Sequence, residues 1–477
     1  MEWKPDRNSK IPIYQQIIDW IEQKITCGEW PPGSLLPSER RLSRILNVNR
    51  STIVTVYQEL AARGWVETKR RAGTYVSRDM WGAAPNHFPN WHQYAKEGTF
   101  LPNLPLLRRV RKEINDGECI DFAGDQSNSL FPRRQLQTNM RQNLFDAPLQ
   151  YDHSHGYSPL RETIAAHAKT FHDIQAPSSS ILVTSGAQQA LFLITHSLLQ
   201  PGDAIAMEQP SYFYSLPLFQ SAGLRLFPLP LGKEGLDPEE IERLYRKHRI
   251  RMVFLNPTFQ NPTGYTLPLE IRKKVVEKCA KLGIPIVEDD PFSLLSIHGS
   301  PPHALKAMDP GGLVLYIGSL SKTVASGLRM GWLIGPQEIL DRLADVRQQM
   351  DYGLSIFPQW IAHQFLSSQE FMEHVSTLKN RLMDRQQFFV SIIQKHLQEK
   401  VEFILPQGGI HLWCKLKTPI RDGKLLDAAI QQSVLFVPGS VYGSPDGFVR
   451  FTYARAPKDQ MEEGVQRFKK ALSIFGV

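Results

Sequence analysis

The stretch LVLYIGSLSKTVASGLRMGW, Leu313–Trp332, begins as a short apolar run, turns polar at Gly318 and Ser319, and then presents Lys322, with Arg329 seven residues later. Most lysines sit in water, so only the surroundings can give this one a chemical role. Four more apolar runs share the pattern: ILVTSG (181–186), AIAMEQP (204–210), RMVFLNP (251–257) and PIVEDD (285–290). Each ends in polar residues, Gly or Pro, and helical patterns such as GAQQALFLITHSLL and LEIRKKVVEKCAKLG lie between runs. That alternation predicts an α/β domain with a largely parallel sheet, whose sites gather at the carboxyl ends of the strands.

The residues at these strand ends form a consistent chemical set. Gly186, Ala187 and Gln188 fall at a strand-to-helix turn, where free backbone N–H groups and the helix dipole attract a phosphate. NPTFQNPTG puts Asn261 on a rigid turn, and VEDDPF places Asp289 and Asp290 just past an apolar strand. Ser319 and Arg329 flank the lysine with a hydroxyl and a fixed cation, both suited to phosphate. A phosphate pocket, a carboxylate, an amide and a lysine together meet the needs of pyridoxal phosphate: an amine for the imine and an acid partner for the ring nitrogen.

The chain of 477 residues has room for two or three domains, and its 42% apolar content is that of a folded globular protein. Its net charge of +8 is concentrated: Arg40 to Arg78 holds nine Lys or Arg against Glu59 and Glu67, a local +7. A basic N-terminal region of that kind suits nucleic acid, a solvated basic face being the other reading. Cys27, Cys119, Cys279 and Cys414 lie far apart without a C-x-x-C pair, so neither a metal site nor a disulfide framework is indicated. MEWKPDRNSK lacks a hydrophobic signal core and no run reaches the roughly 18 apolar residues of a membrane span, so a cytoplasmic protein is expected.

Within the basic region, Ile13, Ile17, Ile18, Ile21 and Ile25 recur at helical spacing before the turn GEWPPGSLLPSE. Ser38 is an N-cap for a helix with Leu42, Ile45 and Leu46 on one face; NVN breaks it, and RSTIVTVYQELAARGW starts the next, ending at Gly64. Two short helices across a tight turn form the helix-turn-helix layout, in which Arg50, Ser51 and Thr52 would meet base edges or phosphates. WVETKRRAGTYV then alternates like a β-hairpin with Arg70, Arg71 and Gly73 at its tip, a wing. Beyond it, WGAAPNHFPNWHQ and FLPNLPLLRRVRKE show little sustained periodicity. They read as a linker over 79–117 between a first domain at 1–78 and a last at 118–477, with Arg108, Arg109, Arg111 and Lys112 on a solvated face.

PIYQQI, PPGSLLPSERRLS, VNRSTIVTVYQEL and AGTYV, in that order, resemble the winged helix-turn-helix of GntR-type bacterial regulators. The resemblance implies DNA contacts by Arg40, Arg50, Ser51, Thr52 and the wing around Gly73. Val54 departs from it, standing where several such regulators carry a further basic contact. From Tyr151 onward, YDHSHGYSPLRETIA, TSGAQQAL, EQPSY, NPTFQNPTG, VEDDPF, GSLSKTVASGLRMGW, PQGGIHLW and VRFTYA resemble a fold-type I aminotransferase. By that resemblance Lys322 forms the imine, Asp289 holds the pyridinium nitrogen, Asn261 meets the ring oxygen and Tyr212 stacks on the ring. Ser319, Arg329 and Gln188 would hold the phosphate, with Tyr151 reaching it from the partner subunit of a homodimer, and Arg450 would clamp an α-carboxylate. Phe292 departs where many relatives carry a tyrosine, and Ala187 replaces a frequent hydroxyl residue. His153 and His155 have no third ligand nearby and are given structural or effector-contact roles.

A GntR-like head on an aminotransferase-like body is similar to the MocR/GabR regulators over nearly the whole chain. The expected function is a pyridoxal-phosphate-dependent transcriptional regulator that binds a DNA operator and senses an amino compound or the cofactor itself. The rival is a working aminotransferase whose N-terminal module is incidental.

Overall fold

The computed structural model describes residues 3–26, 29–69, 73–77, 94, 97–125, 128–137, 153–232, 235–300 and 302–476. The chain divides into two compact units, Met1–Thr99 and Phe100–Val477.

In the first unit, helix Ile13–Thr26 buries Ile17, Ile18, Ile21 and Ile25, the apolar stripe of its sequence. Helix Glu39–Leu46 starts at Ser38, whose side chain accepts from the Arg41 N–H at 3.4 Å, and stops at Asn47 in the left-handed region, φ 52°. Helix Arg50–Ala62 follows and turns Ile53, Val56, Tyr57 and Leu60 inward. Strands β1 (Val66–Lys69) and β2 (Gly73–Val76) form the antiparallel hairpin expected of the wing, in register Val66↔Val76. Backbone bonds from Gly33 N to Val76 O (2.9 Å) and Leu36 N to Thr74 O (2.8 Å) fasten the Pro-Gly turn to that hairpin. Each of the buried isoleucines contributes about 1.5–3 kcal/mol by leaving water, so the helix owes its place to this face.

The second unit holds β3 (Ile120–Asp121), β4 (Ile181–Thr184), β5 (Ala204–Gln209), β6 (Arg225–Gly232), β7 (Gly235–Leu236), β8 (Met252–Leu255), β9 (Ile286–Asp290), β10 (Val314–Ser319) and β11 (Gly331–Ile334). Among the described residues the main sheet has the order β4-β11-β10-β9-β8-β5-β6-β7. The pairs from β10 through β9, β8 and β5 to β6 are parallel, while β11 runs antiparallel between β10 and β4. Every residue of β4, β8 and β9 is buried, because helices cover both faces. The pleat divides β5 between them: Ile205 and Met207 pack with Leu191, Ile194 and Leu340, whereas Ala204 and Ala206 pack with Ile241, Val275 and Cys279. Ser319 pairs with Gly331, so loop 320–330 is closed at its base by the β10–β11 ladder.

A second layer is the antiparallel sheet β12 (Val401–Phe403), β13 (His411–Leu416), β16 (Phe448–Thr452) and β15 (Val437–Pro438), in that spatial order. Strand β14 (Val434–Leu435) pairs in parallel with β3. Helices Gln369–Leu397 and Met461–Ser473 supply Phe389, Ile393, Val465 and Phe468 to the core beneath it.

The expected linker is corrected here. Residues Pro105–Asp116 form a helix capped by Gly117 (φ 73°), with Val110 1% exposed in the second layer's core, and the unit boundary falls at 99/100 rather than 117/118. Leu106, Val110 and Ile114 form its apolar stripe, which the intervening arginines hide in the sequence; Arg109 pairs with Asp427 on the outer side.

Candidate functional site

The site is assembled at the carboxyl ends of the main sheet's parallel strands and is completed by one strand of the second layer. Asp289, near the end of β9, is 2% exposed, and burial pushes its carboxyl up to about 7. The Tyr212 hydroxyl donates to its Oδ2 at 2.5 Å, from the turn Tyr212–Ser215 that Ser211 caps after β5. Its Oδ1 is buried and has no hydrogen-bond partner among the described residues. Asp290 points to the other face of β9, accepting from the Tyr316 hydroxyl at 3.0 Å.

Asn261 donates its backbone N–H to Asn256 Oδ1 (2.8 Å), and its own Oδ1 accepts from Arg450 Nη1 (3.1 Å). Arg450 comes from β16; it also donates to the Ala123 carbonyl at 2.6 Å, and its buried Nε has no hydrogen-bond partner among the described residues. Lys322 lies in loop 320–330, where its ammonium pairs with Asp125.

The phosphate-type end is held by close backbone approach. Gly186 (φ 76°, ψ 171°) opens helix Ala187–Leu198 with no side-chain cap, which leaves first-turn N–H groups for a ligand. A Cβ on Gly186 would lie 2.7 Å from Arg329 Nη2, and one on Gly331 would lie 2.8 Å from the Gly186 carbonyl carbon. Arg329 itself is left-handed (φ 51°) and donates to Ser185 O at 3.3 Å. Ser319 Oγ accepts from Ser321 N at 3.1 Å. Gly186, Ala187, Ser319 and Arg329 are thus brought together, while Gln188 exposes its side chain on the same helical turn. Tyr151 lies outside the described residues.

Two participants escaped the sequence reading. Asp125 is one. The other is His411 at the start of β13, with Nδ1 3.1 Å from Thr452 Oγ1 and its ring edge-on to Phe292 at 5.7 Å. Burial, reinforced by the Arg450 and Lys322 charges, drives its pKa well below the ordinary value, so the imidazole is neutral. Its only signal in PQGGIHLW is a lone polar residue within an otherwise apolar run. His155, by contrast, faces Asp341 at 3.0 Å, and its pKa is lowered by burial.

In the first unit Arg40, Arg50 and Ser51 are exposed and Thr52 is half-buried at the start of helix Arg50–Ala62. Arg50 donates through Nη2 (2.8 Å) and Nε (3.0 Å) to Glu39 Oε2. An exposed pair of this type is worth about 0–1 kcal/mol, less than the roughly 1–3 kcal/mol of a bidentate base contact, so Glu39 does not sequester Arg50. Gly73 (φ 106°) would bring a Cβ within 2.8 Å of Leu35 Cδ1, so this glycine also serves the packing of the wing. Arg70 and Arg71 lie outside the described residues.

Residues 119–468 match the family described as aminotransferase class I and II. The chain belongs to that family. Residues 13–76 match the bacterial regulatory proteins of the gntR family, so this aminotransferase-family chain has the two-part architecture expected of the MocR/GabR type. It is 36% identical over 462 residues to the HTH-type transcriptional regulator YdfD of Bacillus subtilis, covering 96% of this chain and 95% of YdfD. It is 29% identical to the HTH-type transcriptional regulator NorG of Staphylococcus aureus, with 91% and 98% of the two chains covered. Among solved structures it is similar to the kynurenine aminotransferase of Pyrococcus horikoshii, in complex with PMP (TM-score 0.74, 28% identity, 83% and 99% covered). LysN, an α-aminoadipate aminotransferase from Thermus thermophilus, is similar at TM-score 0.73 and 27% identity, with 82% and 100% covered.

The residues of this family member fit a pyridoxal cofactor. Asp289 Oδ1 is a buried acceptor without a partner among the described residues, the uncapped helix start at Gly186 faces Arg329, and Lys322 lies on the loop that also carries Arg329.

Proposed function

We propose that the chain is a pyridoxal-phosphate-dependent transcriptional regulator whose aminotransferase-like unit senses an amino compound, or the cofactor itself, and thereby controls DNA binding by the head. The observation that carries this reading is the pairing, in one chain, of a gntR-family head with a lysine–aspartate site on an aminotransferase fold.

When bound, the cofactor supplies an aldehyde that exchanges primary amines and a ring that withdraws electrons. Lys322 Nζ would hold the aldehyde carbon, Asp289 Oδ1 the ring nitrogen, Asn261 the ring oxygen and Tyr212 the ring face. The N–H groups of Gly186, Ala187 and Gln188, together with Ser319 and Arg329, would hold the phosphate. A cation at Oδ1 favours the ionised carboxylate and so opposes the burial that raises the Asp289 pKa. Arg450 would take an effector carboxylate. The working form would be a cytoplasmic homodimer in which Tyr151 completes the phosphate site of the second subunit and two heads read two half-sites.

Turnover should be poor, because Phe292 has no hydroxyl to donate where relatives place a tyrosine. The deciding experiment follows the cofactor's visible absorbance and the affinity for a labelled operator fragment while amines are titrated. Lys322→Ala should lose the absorbance band after dialysis and lose the amine response on DNA. Keto-acid production in the range of about 1–10³ s⁻¹ would instead establish a working aminotransferase.

A further inference from the structure

Apart from the residues assigned to the cofactor, the second unit holds a cavity of about 400 Å³ between the segment that starts with the turn Asn128–Leu130 and helix Gln369–Leu397. Arg133 and Arg134 line it from the segment, and Glu373, His374 and Arg381 line it from the helix. Three guanidinium groups thus share one cavity with a single carboxylate, and Glu373 pairs with none of them among the described residues. The Arg133 side chain has no hydrogen bond or ion pair among the described residues. Arg381 Nη1 donates to the Ser129 carbonyl at 3.2 Å, which ties the helix to the turn and leaves its other N–H donors for a ligand. Like cations on a concave wall raise the positive potential inside it, and that potential favours an anion. A guanidinium grips carboxylate or phosphate oxygens through parallel N–H donors, and the volume is that of a small-molecule site.

His374 connects this cavity to the cofactor site. It is buried, it lines the cavity, and its Nε2 lies 2.7 Å from the carbonyl of Thr323, the residue after Lys322. Burial lowers its pKa and the Arg381 charge adds to that, so His374 feels the field that an anion beside Arg381 would reduce.

We infer that the cavity is an anion site: it takes a small molecule carrying two or more carboxylate or phosphate groups and, through the bond from His374 to Thr323, passes its occupancy to the loop of Lys322. This goes beyond the amine-sensing reading, because the ligand needs no amine and makes no bond to the cofactor.

The test titrates cofactor-loaded full-length protein, whose phosphate end near Arg329 is then filled, with citrate, inorganic pyrophosphate and acetate by calorimetry. Citrate or pyrophosphate should bind with a Kd below about 1 mM and at least about tenfold more tightly than acetate, and their order distinguishes a polycarboxylate from a phosphate ligand. Arg133→Ala and Arg381→Ala, both at exposed positions, should each weaken that binding about tenfold. Saturating anion should change the rate of cofactor loss on dialysis at least about twofold. His374→Leu should abolish that change, and His374→Gln, which keeps an N–H for the Thr323 carbonyl, should retain it. No saturable binding in the wild type, or binding unaltered in both arginine variants, would overturn the site. Anion binding that leaves cofactor loss unchanged would overturn the link to Lys322. A fall in operator affinity in Arg381→Ala without any anion present would make this wall a contact to the DNA backbone and overturn the inference as well. If the chain holds no cofactor, the sensor reading fails, and the same arginine variants decide the anion site in the cofactor-free protein.

Discussion

Glu208, Glu288 and Asp289 are three carboxyl groups, each 2% exposed or less, crowded at the ends of β5 and β9, and burial pushes each up to about 7. In the unfolded chain they would titrate near the ordinary 3.8 to 4.5. Between those values the native state binds protons on these groups that the unfolded state has released, so the stability these three carboxyls contribute falls as pH rises through this window, against the opposite contribution of buried imidazoles such as His172 and His411, whose pKa is lowered. Urea unfolding of the cofactor-free protein and of Asp289→Asn should therefore show a difference between the two midpoints that shifts against the wild type from about pH 5 to about pH 7. A difference unchanged over that range would contradict the burial argument. Asp289 was legible in the sequence because two acids directly after an apolar run are rare in a strand built for packing. Asp125 was not legible: nothing in FAGDQSN marks it, and its meaning comes from a lysine brought near by the fold. His411 was hidden in the same way, since the burial that suppresses its charge, and the Arg450 and Lys322 charges that add to it, come from other segments.

At the scale of elements, the strand-to-helix turn at Gly186 and the hairpin β10–β11 form one device. Loop 320–330 is locked at its base by the Ser319↔Gly331 pairing and carries both Lys322 and Arg329, so strand register sets where the amine and the guanidinium stand. The backbone of Gly186 (φ 76°, ψ 171°) is available essentially only to glycine, and an added Cβ would strike Arg329. Gly186→Ala should cost about 1–3 kcal/mol of stability and weaken cofactor uptake, as denaturant titration and the visible band would show. The strand ends and this turn were readable from the alternating runs. Helix Pro105–Asp116 was not, because its stripe of Leu106, Val110 and Ile114 is interrupted by Arg108, Arg109 and Arg111, and the charges mask the period. In the first unit the helix-turn-helix was readable down to its Ser38 cap. Helix Arg50–Ala62 exposes Arg50, and Arg50→Ala should cost about 1–3 kcal/mol on the operator while leaving random DNA little affected, measured by fluorescence anisotropy at fixed salt. An equal loss on both DNAs would make Arg50 a phosphate contact.

For the whole molecule the requirement is linkage: an amine that alters operator affinity by some factor must have its own affinity altered by the operator by the same factor. The hydrogen bond from Arg450 to Asn261 joins the second layer to the main sheet, and it is the bond for which an effector carboxylate and a cofactor ring oxygen would both compete. An effector that takes Arg450 would loosen this one tie between β16 and the main-sheet side of the site. Helix Pro105–Asp116 rides on that same layer and is, along the chain, the first helix of the second unit after the DNA-binding head. It would thus act as a tiller: the first helix of the second unit along the chain, packed on the layer from which an effector would draw Arg450. Its outer grip is the ion pair between Arg109 and Asp427. Arg109→Ala or Asp427→Ala should leave the cofactor spectrum and the amine affinity intact yet reduce the amine's effect on operator binding by about 0.5–2 kcal/mol, read by titrating DNA with and without saturating amine.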